Sequence, residues 1–279
     1  MSVAASVSAN DTYHASQGLS SSQIGVFLDD PVRWHHVHVL GDWPRTEATP
    51  AMQFGTRVHQ MVELGGPDAL LDEGGLVEEP PHLFEDGKTR RHGEYQAWKK
   101  EQLGYGLEIV EAGYLAPYES IWANLKANRH AAKWLACPNK EVEFRWTDTA
   151  TGIGCKAKLD VLDENAVVDW KTTRKVDARG FQSEVYQRHY DVRLAFYRRA
   201  LRSGGIDLPI VAVAIENSGS YRVKPYEISS AWIDEADERL SATMDRMAAF
   251  ELTEELDSDI VCLESPRWAK YDTEYELGE

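Results

Sequence analysis

Apolar and polar positions change period along this chain, and the changes mark out its elements. From Glu141 to Trp146 the order Glu-Val-Glu-Phe-Arg-Trp alternates with period two, the pattern of a strand with one buried face. Thr151-Gly152 makes a turn, Ile153 to Leu162 reads as the next strand, and Ala166 to Trp170 as the third after the turn Asp163-Glu164-Asn165. Pro209 to Glu216 is strongly β-prone, and Tyr221 to Tyr226 reads as its partner.

Helical spacing surrounds this centre. Ser20-Ser21-Ser22-Gln23 resembles a capping box opening a short helix through Phe27, stopped by Pro31. Pro50 to Leu64 reads as a helix burying Met52, Val58, Met61 and Val62, ended by Gly65-Gly66. Further helices are expected from Tyr95 to about Gln102, from Pro117 to Ala136, from Arg179 to Arg202 and from Ser229 to Leu252. Trp34 to Pro50 and residues 66 to 93 read as irregular connection. The main order, α-α-β-β-β-α-β-β-α, predicts an α/β fold with a mixed central β-sheet flanked by helices. We expect one domain over residues 13–256: a helical part at 13–136, a core at 137–226 and a helix at 229–252. Disorder is expected at 1–12 and an acidic tail at 257–279.

Length supports that picture, since 279 residues and 31.5 kDa can bury a sizeable core. No apolar run approaches the ~20 residues of a membrane span, and no basic-then-apolar leader opens the chain. The expectation is a cytoplasmic protein, in a bacterial host, without a membrane partner. Cys137, Cys155 and Cys262 are too scattered for a disulfide framework or a zinc knuckle. The net charge of −16 argues at first sight against nucleic acid, but its distribution matters more than the sum. Tyr226 to Glu279 holds 16 acids against 4 bases, leaving 30 acids against 26 bases in the first 225 residues. Eleven bases fall between Lys156 and Arg202, around the central hairpin. Charge alone decides nothing.

Chemistry concentrates in that hairpin. Asp160 opens toward the turn, Asp169 ends the returning strand, and Lys171 leaves the same face as Asp169. The open end of the hairpin brings Asp160 beside Asp169. Two acids and an ammonium crowded together are costly unless something binds there. A hard divalent cation with a phosphate beside it is the natural occupant: Mg²⁺, with Mn²⁺ as a substitute. Asp160 and Asp169 would be ligands, the Trp170 carbonyl a third oxygen, and Lys171 would orient or deprotonate a water. Taken alone, Asp-x-Lys at a strand end also arises by chance.

Asp160, eight residues, then Asp169-Trp170-Lys171 resembles the PD-(D/E)xK nuclease motif. Thr151 to Asp160 and Val168-Asp169-Trp170-Lys171-Thr172-Thr173 are similar to the matching strands of RecE-type (exonuclease VIII) phage exonucleases. So are Tyr13-His14 with Leu19-Ser20-Ser21-Ser22, and Thr49 to His59. The resemblance spans about residues 13 to 200 in the right order. It implies a restriction-endonuclease-like core and Mg²⁺-dependent 5′→3′ digestion of duplex DNA from an end. It further implies a 3′ single strand left for a RecT-type annealing protein, and a homo-oligomeric ring around DNA. By position, His59 becomes the motif histidine near the metal, joining Asp160, Asp169 and Lys171 in catalysis. Glu141 is the match for an additional acid, although Glu143 shares its face and an exposed strand charge explains either.

One departure stands out. Relatives carry Gln-x-x-x-Tyr on the helix after the core, whereas Arg193-Leu194-Ala195-Phe196-Tyr197 has arginine in the glutamine position. Arg193 is therefore a candidate for a DNA phosphate, which suits its planar fork. Arg174, Lys175, Tyr190 and Tyr197 join it as candidate DNA-binding residues. Tyr186, four before Tyr190, is assigned to the core. The nine Trp residues read mainly as core or loop anchors. Two other readings stay open: a PD-(D/E)xK endonuclease or structure-selective nuclease, and an inactive DNA-binding or assembly protein. A helicase-linked nuclease with a cysteine quartet is disfavoured by the three scattered cysteines.

Overall fold

A computed structural model of the protein describes Tyr13 and residues 16–252. The expected disordered start at 1–12 and acidic tail at 257–279 lie outside the described residues, as do positions 14, 15 and 253–256 of the expected domain. In chain order, α1 (Ser21–Asp29), α2 (Pro31–Trp34), a π-helix (His35–Leu40), α3 (Pro50–Leu64) and α4 (Asp68–Asp72) come first. Then follow β1 (Leu76–Glu78), 3₁₀ turns (Pro81–Gly87), α5 (Gly93–Gly104), β2 (Glu108–Val110), α6 (Ala116–Ala127) and α7 (Arg129–Leu135). The rest is β3 (Lys140–Thr147), β4 (Gly154–Leu162), β5 (Val167–Thr173), α8 (Ala178–Gln187), α9 (Tyr190–Ser203), β6 (Ile210–Glu216), β7 (Val223–Ile228) and α10 (Ser230–Ala248).

Five strands form one mixed sheet in the order β3-β4-β5-β6-β7. Only β5 and β6 run parallel, joined by the α8–α9 crossover that a parallel pair requires. β6 is buried along its whole length, as a central strand covered on both faces must be. On one face Val167, Ala212 and Ala214 pack with Phe181, Phe196, Leu201 and Leu240 from α8, α9 and α10. On the other, Val168, Trp170, Val213 and Ile215 meet Val58, Met61, Ile121 and Leu125 from α3 and α6. This is the α/β sheet flanked by helices that the periodicity predicts. No helix among the described residues is long and apolar enough to cross a membrane.

Several local expectations are corrected. Ser20 caps α1 without a side-chain hydrogen bond, so no capping box forms. Pro31 starts α2 at its first turn, where its missing N–H costs nothing, and Asp30 caps it. The expected irregular stretch after Trp34 contains the π-helix, and the expected loop from 66 to 93 contains α4, β1 and the 3₁₀ turns. β1 pairs in parallel with β2, a contact between short segments too weakly patterned to read. Pro117 to Ala136 breaks in two at Asn128, whose side chain accepts the N–H groups of His130 and Ala131. Arg179 to Arg202 breaks at His189, which takes the left-handed conformation at φ 54°. Met52 is 55% exposed; Phe54 instead turns inward and stacks on Tyr118.

Candidate active site

β4 and β5 pair only at Val161–Val168 and Leu162–Val167, next to their turn. From Asp160 back toward Gly154 the two strands part. Side-chain alternation also breaks there: Leu159 packs in the core under α9, while Val161 packs in the core under α3. Residues two apart on a regular strand share a face, so β4 is rotated at Asp160. β3 follows it. Val142 pairs with Leu159 and Lys140 with Val161, leaving Glu141 opposite Asp160 with φ 52°. A left-handed glutamate inside a strand is costly, and such strain gathers at functional sites.

The gap is lined by backbone as well as side chains. Val167 N–H donates to Pro209 and the Thr173 carbonyl accepts from Asn217, so the odd-numbered residues of β5 turn their polar groups toward β6. Trp170 therefore turns its N–H and carbonyl toward the gap. Its N–H donates to Asp160 Oδ2 at 2.8 Å, a side chain standing in for the missing ladder bond.

Three layers deliver side chains to this opening. α3 brings His59, with Nδ1 3.5 Å from Asp160 Oδ2. α3 lies close to β5 because Gly55 has no side chain: a Cβ there would stand 3.0 Å from Thr172 Oγ1. Lys140 donates to the Val62 carbonyl near the end of α3, fastening β3 to the same helix. β5 brings Asp169 and Lys171, which form an ion pair on its α9 face. α9 brings Tyr190, whose ring centroid lies 5.2 Å from Lys171 Nζ and 5.6 Å from the Arg193 guanidinium carbon.

Electrostatics separates the two aspartates. Burial pushes Asp160 up, but the charge and hydrogen bond of His59, then Lys171 and the Trp170 N–H, hold it below the ordinary carboxylate value. Burial, supported by the charge of Asp160, keeps Asp169 above that value despite Lys171. Burial opposes protonation of His59 and of Lys171, and in each the neighbouring aspartate outweighs it and raises the pKa. The charge of Asp169 thus holds Lys171 in its charged form, while burial raises the pKa of Asp169 itself, a shift that a bound cation would oppose.

The residues fit a hard divalent ion. Asp169 Oδ2 is buried, and its one charged partner among the described residues is the Lys171 ammonium on the same strand, which a cation could displace. A Trp170 carbonyl facing the same gap adds a second hard oxygen. Among the described residues no three His, Cys, Asp or Glu side chains gather into a ready chelate. An ion held here would have one or two carboxylates and water for the rest of its shell.

The other expected residues divide. Glu141 is opposite Asp160, and burial, then the charge of Asp160, raise its pKa. Glu143 is 2% exposed and lies two pairs further along, opposite Lys158, so Glu141 is the acid at the gap. Arg174 and Lys175 are exposed just beyond β5. Tyr197 is buried and receives the Ser21 hydroxyl at 3.4 Å, leaving little of it for DNA. Tyr186, assigned to the core, is 57% exposed with Arg239 over its ring. The expected basic field is largely neutralised: Lys158, Arg188, Arg198, Arg199 and Arg202 all pair with carboxylates.

Lys158 is a site residue that sequence patterning did not single out. It pairs with Glu141 at 2.5 Å and lies 5.7 Å from the Tyr13 ring. Its signal was available, since position 158 is two before Asp160. The N-terminal segment completes the wall. Leu19 bridges to Cys155 on the edge of β4 that β5 vacates, and Lys156 donates to the carbonyls of Tyr13 and Ser16.

Comparison with known proteins agrees with this fold. Residues 20–258 match a family described as "PDDEXK-like domain of unknown function (DUF3799)". No curated protein matches the chain. Among solved structures, a "putative exonuclease" from Eubacterium rectale is similar at a TM-score of 0.60 and 15% identity, covering 98% of this chain and 100% of that one. An alkaline exonuclease from Laribacter hongkongensis is 16% identical over 65% of this chain and 92% of that one. Its TM-score of 0.25 carries no argument.

Proposed function

The chain belongs to the PDDEXK-like family, and on that premise we propose that it is a Mg²⁺-dependent exonuclease acting 5′→3′ on duplex DNA. The observation that carries the reading is the meeting of Asp160, Asp169 and Lys171 where β4 parts from β5. The name of the Eubacterium rectale protein, whose fold this chain shares, favours attack from an end over internal cutting.

Bound Mg²⁺ would supply a nucleophilic water and neutralise charge on the phosphate. Asp160, kept ionised by His59, and Asp169, turning from Lys171 to the ion, would hold it together with the Trp170 carbonyl. Glu141 would join through an outer-sphere water or after releasing Lys158. Lys171 would place the water and counter the phosphate, while His59 fixes the orientation of Asp160. Arg174 and Lys175 would meet the DNA backbone beside the gap. The product strand, ending 3′, is a substrate for a single-strand annealing partner of the RecT type, and a ring of copies would keep the enzyme on its DNA.

Digestion of 5′-labelled, 3′-labelled and covalently closed duplexes with Mg²⁺ tests the proposal. Early release of the 5′ label with survival of the circle is the expected result. Cleavage of the circle would make the protein an endonuclease, and inert but DNA-binding protein would favour the non-enzymatic reading.

A further inference from the structure

Arg193 occupies a peculiar position. It is half buried, it forms no ion pair among the described residues, and its Nε is buried without a hydrogen-bond partner. The nearby cation, Lys171, already has Asp169. Both cations bear on one ring, that of Tyr190, at 5.2 and 5.6 Å from its centroid. Arg193 also opposes protonation of Lys171, so the two positive groups act on each other across a short distance. A guanidinium held near an ammonium with no acid of its own is an arrangement that lacks an anion.

The chain makes the platform deliberately. His189 adopts φ 54°, which separates α8 from α9 and starts α9 at Tyr190. Had the helix run through, Tyr190 would have continued the face of Tyr186, which is exposed and taken by Arg239. Tyr190 and Arg193 are three apart on α9, the spacing at which helical side chains touch.

We propose that Tyr190 is a positioning residue for a phosphate clasp, its ring holding the Arg193 guanidinium beside the Lys171 ammonium so that the pair spans the DNA backbone, Lys171 on the phosphate under attack and Arg193 on the one next to it. This rests on the nuclease reading of the same site. The ligand is a phosphodiester backbone because an ammonium and a guanidinium side by side match the repeated negative charge of phosphates, whereas base edges are neutral. Phenylalanine at 190 keeps the ring and therefore the clasp. An aliphatic residue loses it.

The test is equilibrium binding of a fluorescent linear duplex to the full chain across KCl concentrations, without divalent ions, beside kcat and KM for nucleotide release with Mg²⁺. Arg193→Gln removes one phosphate contact and should lower the slope of log affinity against log salt by about one. Tyr190→Leu should lower it equally, and the double variant should be no worse than either single one. Tyr190→Phe should behave as wild type, and in the damaged variants KM should rise more than kcat falls. An unchanged slope in Arg193→Gln, full additivity, or loss in Tyr190→Phe equal to that in Tyr190→Leu would overturn the proposal. Arg193 is only half buried, so its variant carries the test even if Tyr190→Leu does not fold. Wild-type protein that binds duplex but releases no nucleotides would refute the nuclease reading alone, since the salt slopes still report the clasp.

Discussion

Asp160 accepts the Trp170 N–H at the first position where their two strands no longer pair. One carboxylate thus closes the sheet and faces the gap where the proposed ion would sit, and substitution can separate the two duties. Asp160→Asn keeps an acceptor for the N–H, whereas Asp160→Ala leaves a buried donor unmet at a cost of about 1–3 kcal/mol. Both should lose nuclease activity by at least about a hundredfold, but only the alanine variant should melt clearly lower. Near-normal nucleotide release by Asp160→Asn would reduce Asp160 to a structural residue.

Gly55 is a spacing device. In an exposed helix interior, glycine to alanine stabilises by up to about 1 kcal/mol, but here the new Cβ would meet Thr172 Oγ1 at 3.0 Å. Gly55→Ala should therefore gain no stability and should reduce activity by moving His59 away from Asp160. Adding Thr172→Ala removes the obstructing oxygen and should restore both. Chemical unfolding and turnover of the two variants decide it; failure of the second substitution to rescue the first would show that the contact is not what limits α3.

Trp170 sits inside the Asp-x-Lys motif yet contributes only backbone. Its side chain is 1% exposed, packs edge-on to Trp134 with centroids 6.5 Å apart, and leaves Nε1 without a partner. Trp170→Phe exchanges an unmet donor for a small cavity, two terms of similar size and opposite sign, so stability should change by no more than about 1.5 kcal/mol. Activity should stay near wild type. A large loss of activity in a well-folded variant would assign the indole itself to the reaction.

Far from the gap, Glu79 is a buried acid bound by Arg90 Nε at 2.8 Å and Nη2 at 2.7 Å and by the Tyr95 hydroxyl at 2.6 Å. The Arg90 hydrogen bonds, against burial and with help from Tyr95, hold its pKa below the ordinary 4.5. A depressed carboxylate stabilises the fold above its unfolded value, and this contribution is lost as pH falls through the folded value. Glu79→Gln should therefore lose stability at pH 6 and narrow its gap to wild type between about pH 5 and 3. Urea midpoints for both proteins across that range provide the check; a constant gap would mean that Glu79 does not titrate differently on folding.

Periodicity was enough to place the sheet, because β3 to β7 are long and alternate or are continuously apolar. Asp160, Asp169 and Lys171 were legible as neighbours because the hairpin turn returns β5 beside β4, although ladder pairing ends at Val161–Val168. What could not be read is where register stops. Nothing local in Lys158-Leu159-Asp160 announces that β4 rotates there, and the left-handed Glu141 and His189 carry no glycine to signal them. The exposure of Tyr186 and the neutralised arginines depended on α10, whose acids, Asp234 and Asp237, lie over 30 positions away from Arg198 and Arg199.

The bridge from Leu19 to Cys155 joins residues 136 positions apart along the chain. Contacts that close such long loops form late, after the elements between them have collapsed. The cleft is therefore unlined on one side when the β4–β5 hairpin forms, and is complete only once the segment around Tyr13 to Leu19 has docked on β4. Recovery of activity during refolding should lag behind formation of the sheet.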